Sequence, residues 1–257
     1  MKGRGYTCGM KHDVLMGWDA AWTPNGTGAW TVAVNGAVVL HEVTPCGDAL
    51  LSRLADLMDE FRPGVVAADL PLALGGVKGW RNADLETTRA FSRFGCPVHS
   101  PTAARPGEWG ERMVEVLAER DYHLALSNPC GDQVFAEVYP HTVLLDIYRR
   151  TRRLPYKAGR SKQYWPEMAR EARVEKLLHT YRGIWGRLGE AWALPPFPDT
   201  AESPRMKDLK RLEDLTDALV CLHAARAVRE GVYRPYGDQT AAIWNPDHRR
   251  IQGMGGA

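Results

Sequence analysis

The sequence predicts a mixed α/β fold that starts with three antiparallel strands, continues in parallel strands, and carries helices on its flanks. Three features of the first seventy residues lead there. Two apolar runs meet at Asn35-Gly36, a dipeptide that accepts positive φ at low cost and so marks a hairpin. Val65 to Leu70 is a short unbroken apolar run, the pattern of a central parallel strand covered on both faces. A helical stripe lies between them, so the order strand-strand-strand-helix-strand calls for helices packed on a mixed sheet.

Taken in order, Val14 to Ala21 reads as a buried strand, followed by a Pro-Asn-Gly turn within Thr23 to Thr27. Ala29 to Val34 and Ala37 to Val43 are the hairpin strands. Asp48 is the N-cap candidate for a helix whose Leu50, Leu51, Leu54, Leu57, Met58 and Phe61 recur at helical spacing. Pro63-Gly64 ends it. Helices are expected over Asn82 to Phe94 and Glu108 to Tyr122, then a strand over Val134 to Tyr139 and a helix from about Thr142. Arg149 to Arg182 is basic and mostly helical after Pro166. Ala193 to Pro204 is a proline-rich connector, and Lys207 to Glu230 is the last major helix. Ala241 to Trp244 reads as a final short strand. The organisation expected is one domain over 13–246 with helical insertions at about 75–130 and 149–205. Disordered tails are expected at 1–12 and 247–257.

Of the 257 residues, 44% are hydrophobic and 25% charged, the balance of an ordinary globular protein. A net charge of +2 is too small to announce a polyanion partner, so any such claim depends on where the charges sit. Cys8, Cys46, Cys96, Cys130 and Cys221 are dispersed and form no Cys-x-x-Cys pair, which points to reduced thiols in a reducing compartment. Met1 to His12 lacks the apolar core of a signal peptide, and no run approaches the roughly 20 apolar residues of a membrane helix. A cytoplasmic protein without a membrane partner is expected. Cys96-x-x-His99 is half a zinc site with no second half. Gly26-x-Gly28 precedes a strand rather than a helix, and no Gly-x-Ser-x-Gly elbow exists.

Three acids stand where acids are costly. Asp19 closes Leu15-Met16-Gly17-Trp18-Asp19, Asp69 closes Val65-Val66-Ala67-Ala68-Asp69, and Asp217 lies in the last helix with Asp214 one turn before it. An ionised carboxylate near a core needs compensation, and a divalent cation is a standard one. Two carboxylates a turn apart can share an ion or grip two. The bland alternatives are capping roles for the strand-end acids and a solvated face for the helix pair. Whether Glu213 or Asp214 pairs with Asp217 stays open.

Gly17-Trp18-Asp19, Ala68-Asp69-Leu70-Pro71-Leu72, Arg81-x-x-Asp84-x-x-x-x-Arg89, Glu137-Val138-Tyr139-Pro140 and Asp217-Ala218-Leu219 occur in that order. From about Val14 to Trp244 the chain resembles the ribonuclease-H-like superfamily, with the Holliday-junction resolvase branch as the nearest pattern. More narrowly it is similar to the family catalogued as domain of unknown function 429, regarded as predicted ribonuclease-H-like nucleases. The resemblance implies a ribonuclease-H-like mixed sheet and a site in which Asp19 and Asp69 bind metal from adjacent strand ends. Asp217, helped by Asp214, would complete it from the helix. Two cations, Mg²⁺ or Mn²⁺, would then activate water and stabilise the leaving oxygen of a phosphodiester. Two departures are visible. No helix acid clearly matches the helix carboxylate of ribonuclease H, and Ala20-Ala21 after Asp19 excludes the Asp-x-Glu of proofreading exonucleases.

Further candidates surround this set. Glu137, in a strand expected beside the first, either reaches the metal pocket or is a satisfied strand-end group. Arg81 and Arg89, with Asp84 between them at helical spacing, either clamp a phosphate through the guanidinium fork or form an intrahelical ion-pair ladder. Between Arg149 and Lys162, Lys157, Arg160 and Lys162 belong to a basic run interleaved with Tyr148, Tyr156, Tyr164 and Trp165. That mixture suits single-stranded or branched nucleic acid, against the plain reading of a solvated face. The function expected is a metal-dependent nuclease. An ATP-dependent phosphotransferase or ATPase of the actin-like relatives, or a non-catalytic nucleic-acid-binding module, are the alternatives.

Overall fold

Alternation of side chains along Val14–Asp19, strand β1, decides how the molecule is layered. In this computed structural model, which describes residues 13–99, 101–127, 133–201 and 204–253, Met16 and Trp18 face one side and Leu15 the other. Seven more strands join β1 in one sheet: β2 (Ala29–Val34), β3 (Ala37–Val43), β4 (Val65–Ala68), β5 (His123–Leu124), β6 (Val134–Val138), β7 (Arg234–Gly237) and β8 (Ala242–Asn245). Their order is β3-β2-β1-β4-β6-β8-β7, with β5 also on β6. The first three pair antiparallel, β1, β4, β6 and β8 run parallel, and β7 returns antiparallel to β8. The expected mixed sheet is therefore present, antiparallel at its start and then parallel from β1 through β8.

The helices are α1 (Asp48–Phe61), α2 (Asn82–Phe91), α3 (Gly107–Ala118), α4 (Pro140–Ile147), α5 (Ser161–Tyr164), α6 (Arg170–Gly189), α7 (Met206–Arg229) and α8 (His248–Gly253). Met16, Trp18, Trp30, Val66, Ala68 and Phe135 pack against α1 and α3. On the opposite face Leu15, Val65, Ala67, Ala136 and Val138 meet α4, α6 and α7. Trp18 and Trp30 are cross-strand partners whose rings stack at 4.6 Å. Gly47 occupies the α1 N-cap, so Asp48 is the first helical residue, where its charge complements the helix dipole.

Some expectations are displaced. The proposed tail 1–12 lies outside the described residues. The proposed tail 247–257 begins with α8, which buries Ile251 beside Phe91 and Phe94. The edge strand β7 escaped notice because Pro235 and Gly237 interrupt its pattern, and proline is tolerated at edges. Cys46, Cys96 and Cys221 are free thiols. No helix among the described residues is long and apolar enough to cross a membrane.

The glycine at position 17 fixes the seating of α7. A Cβ there would lie 2.2 Å from both the Ala218 carbonyl oxygen and the Leu222 nitrogen, inside any permitted contact. Gly28 is similarly confined, since its Cβ would lie 1.9 Å from the Asp19 carbonyl oxygen. Gly17→Ala is expected to lower stability by roughly 1–3 kcal/mol or more, the range for overpacking a close-packed interior. Urea denaturation checks this, and an unchanged midpoint would mean that α7 does not rest on β1 as described.

Candidate active site

The same alternation that layers the sheet aims Asp19 and Asp69 at α7. Trp18 pairs with Ala68 in the parallel register, and the Asp69 N–H donates to the Trp18 carbonyl at 2.9 Å. The two acids therefore leave adjacent strands side by side, about 4.8 Å apart in the sheet direction. Trp22 Nε1 donates to the Asp69 carbonyl at 3.1 Å and fixes the chain where it leaves the sheet. Asp19 is 9% exposed, lines a cleft of about 750 Å³ together with Asp69, and its carboxylate accepts no hydrogen bond from any described residue. The Asp69 side chain likewise has no hydrogen-bond donor among them.

From α7, Asp214 and Asp217 approach this pair from below, 1% and 0% exposed. Asp217 accepts from the Tyr156 hydroxyl at 2.6 Å and from Lys157 Nζ at 2.5 Å. Asp214 accepts from Thr27 Oγ1 at 3.1 Å and from Lys210 Nζ at 2.5 Å. Glu213 accepts from the Ala158 N–H at 2.6 Å and from Lys210 at 3.0 Å, with Lys157 Nζ at 3.5 Å. All three helix acids are thus buried and engaged. The sequence left open which of Glu213 and Asp214 would accompany Asp217. Glu213 holds both lysines and the turn at Ala158, and of the three helix acids it is the one that lines the cleft.

Charge follows from this crowding. Burial, then the neighbouring Asp217 and Asp214, push the Asp19 carboxyl well above the ordinary range. Burial pushes Asp69 up to about 7, with Asp217 and Glu137 adding to the effect and Lys157 opposing it. Asp214 is raised by burial against the pull of Lys210. Burial would raise Glu213 as well, but Lys157 and Lys210 outweigh it and hold this acid low. Lys157 stays firmly protonated, because Asp217 and Glu213 more than repay its burial.

Other expected residues fall elsewhere. Glu137 pairs with Ala68 across β4 and β6, so it shares the face of Ala68 and points away from the α7 side used by Asp19 and Asp69. Its strand lies beside β4, not beside β1. There it meets Arg81, whose guanidinium donates twice to Asp84, twice to Glu137 and once to the Leu72 carbonyl. An arginine side chain has five N–H bonds. None of Arg81's remains for a phosphate, so the clamp is structural and Glu137 is its counter-ion. Arg89 is exposed on α2, near Arg93, Tyr236 and His248 and away from the cleft. Lys162 is exposed and outside the cleft lining, whereas Lys157, Arg160 and Arg153 line it. Tyr156 is buried and Trp165 packs near α6 under Lys176, so the basic run's aromatics do not face the cleft.

Several cleft residues were missed, Thr27 and His141 among them. Trp22 and Arg105 form one rim, the guanidinium 5.3 Å from the indole. Lys210 sits three and four residues before Glu213 and Asp214, a helical ion-pair spacing the sequence did contain.

The family model described as "Protein of unknown function (DUF429)" matches residues 17–241. The chain belongs to the DUF429 family. The DUF429 match takes in Asp19, Asp69, Glu213, Asp214, Asp217 and both lysines. No curated protein matches the sequence. Among solved structures, "Thermus thermophilus RuvC structure" aligns at 12% identity over 89% of this chain and 99% of that one, with a TM-score of 0.40. A likeness that distant assigns no function.

The raised Asp69 carboxyl has a consequence for stability. Between about pH 4 and 7 the folded DUF429 chain retains a proton there that the unfolded chain has released, so this group costs stability as pH rises through that window. Asp69→Asn removes the cost. In metal-free buffer the variant is expected to gain on the order of 2 kcal/mol over wild type at pH 8 and little at pH 4, since Asp69 keeps some contact with water. Thermal melts at both pH values decide it. A difference independent of pH would contradict the assignment.

Proposed function

We propose that the chain is a metal-dependent hydrolase of phosphodiester bonds in nucleic acid, using Mg²⁺ or Mn²⁺ held by Asp19 and Asp69. The observation that supports this reading is a buried carboxylate, Asp19, that has no hydrogen-bond partner among the described residues and lines a cleft beside the half-buried Asp69. Among the described residues no three His, Cys, Asp or Glu side chains are arranged to cage a metal ion. Mg²⁺ needs no such cage, being commonly held by one or two carboxylates with water and substrate phosphate oxygens completing its shell. The donors are all oxygen, as hard cations require. Such an ion would supply Lewis acidity and a more acidic water.

The chain's own residues supply the rest. Five carboxylates face two lysines at the centre, so it carries excess negative charge when ionised and attracts a cation. Around it Arg105, Arg153 and Arg160 line the cleft and would hold a phosphate backbone that the acids alone would repel. Arg153 is held against His141 through its guanidinium, which fixes its place in the cleft wall. Trp22 offers an aromatic face at the rim, suited to an unstacked base and so to single-stranded or branched substrates. The actin-like ATPase alternative needs a second, repeated domain, and the described strands all belong to one sheet.

Two tests follow. Mn²⁺ or Mg²⁺ at about 100 times its dissociation constant is expected to stabilise the native chain by about 2.7 kcal/mol, and Asp69→Asn to abolish that shift together with cleavage of end-labelled single-stranded and branched oligonucleotides. Equal metal shifts in both proteins would remove Asp69 as a ligand, and an added shift from ATP would favour the phosphotransferase reading. Separately, replacing Arg153 and Arg160 by Gln should flatten the slope of log affinity against log salt by roughly 0.7 to 0.9 per lost phosphate contact, while Lys162→Gln leaves it unchanged. If Lys162→Gln flattens the slope as much, nucleic acid does not follow the cleft.

A further inference from the structure

Asp214 and Asp217 are the acids that would hold a second divalent ion, and both are already occupied by ammonium groups. Lys157 Nζ lies 2.5 Å from Asp217 Oδ2, and the Tyr156 hydroxyl takes the other oxygen at 2.6 Å. Lys210 Nζ and Thr27 Oγ1 take the two oxygens of Asp214. The two lysines differ in how firmly they are held. The Lys157 side chain is 21% exposed against 48% for Lys210. The backbone on both sides of Lys157 is pinned, by Tyr181 Oη donating to the Tyr156 carbonyl at 2.8 Å and by the Ala158 N–H on Glu213 at 2.6 Å. An ammonium placed this way is a built feature of the centre.

We infer that Lys157 stands in for the second metal ion, so that this centre takes one divalent cation, at Asp19 and Asp69, instead of two. The inference rests on the metal-dependent reading above. A second ion could reach Asp217 only by breaking charge-assisted hydrogen bonds to both of its oxygens and leaving a partly buried ammonium with only Glu213, 3.5 Å away. Lys157 also lines the cleft. From there it can set a fixed positive charge and an N–H donor beside a phosphate oxygen, the electrostatic service a second ion would provide. It does so at a single charge and with no site to load.

Counting bound Mn²⁺ tests this without any activity measurement, by titrating the full chain at pH 7.5 and reading free Mn²⁺ by electron paramagnetic resonance. Wild type is expected to bind one ion per chain and Lys157→Met two, because the methionine frees Asp217 without adding charge. Lys157→Arg should stay at one. If Lys157→Met fails to fold, as judged by circular dichroism, Asp217→Asn serves instead: it should still bind one ion, since Asp217 is not that ion's ligand. Two ions in wild type, one in a folded Lys157→Met, or none in Asp217→Asn would each overturn the inference while leaving a metal centre in place. No ion in wild type would overturn the metal-dependent reading itself, and the inference with it.

Discussion

The backbone of α7 rests directly on β1 at Gly17, and the centre depends on that contact. With no Cβ at this position, Ala218 and Leu222 come within reach of the strand, and Asp214 and Asp217 are carried with them to the ends of β1 and β4. A side chain at position 17 would lift the helix and spread the acids. Gly28 does related work on the other side of Asp19, letting the loop between β1 and β2 turn back close to that residue's carbonyl. Thr27, in the same loop, then donates to Asp214, so the loop and the helix are joined through the centre they border.

Bringing these acids together is electrostatically costly, and the structure answers with two different kinds of compensation. The helix acids are neutralised from within by Lys157 and Lys210 and by hydroxyl groups. The strand-end acids are not, and their raised carboxyls record the deficit. A carboxyl in a polar cleft with no partner among the described residues is a place where a cation can displace the proton and contribute binding free energy. On the far face of the sheet Glu137 shows the opposite outcome: Arg81 saturates it, and no capacity for a ligand is left.

Much of this was legible in the sequence because it is local. An acid ending an apolar strand, a glycine before it, and two acids one turn apart on a helix all announce themselves within a few residues. Glu137 looked like Asp69 for the same reason, since both end apolar strands. What separates them is parity in the sheet, together with a guanidinium 56 residues away in sequence, and neither is visible in a local pattern. The basic run misled in a similar way. Its composition fits a polyanion surface, but Arg153, Lys157 and Arg160 are its basic residues that line the cleft, while Lys162 faces water elsewhere. The β7 strand and the α8 helix are short and take their stability from the core they cover, which includes Tyr236 and Ile251.

The central proposal is that the carboxylates of Asp19 and Asp69, without hydrogen-bond partners among the described residues, form the cation site of a hydrolase. The most direct measurement is anomalous diffraction at the manganese edge from crystals of the full chain soaked in Mn²⁺. The account predicts one peak bound by oxygens of both Asp19 and Asp69, at the roughly 2.1 Å typical of a small octahedral cation. A map with no peak there, or with manganese only between Asp214 and Asp217, would contradict it.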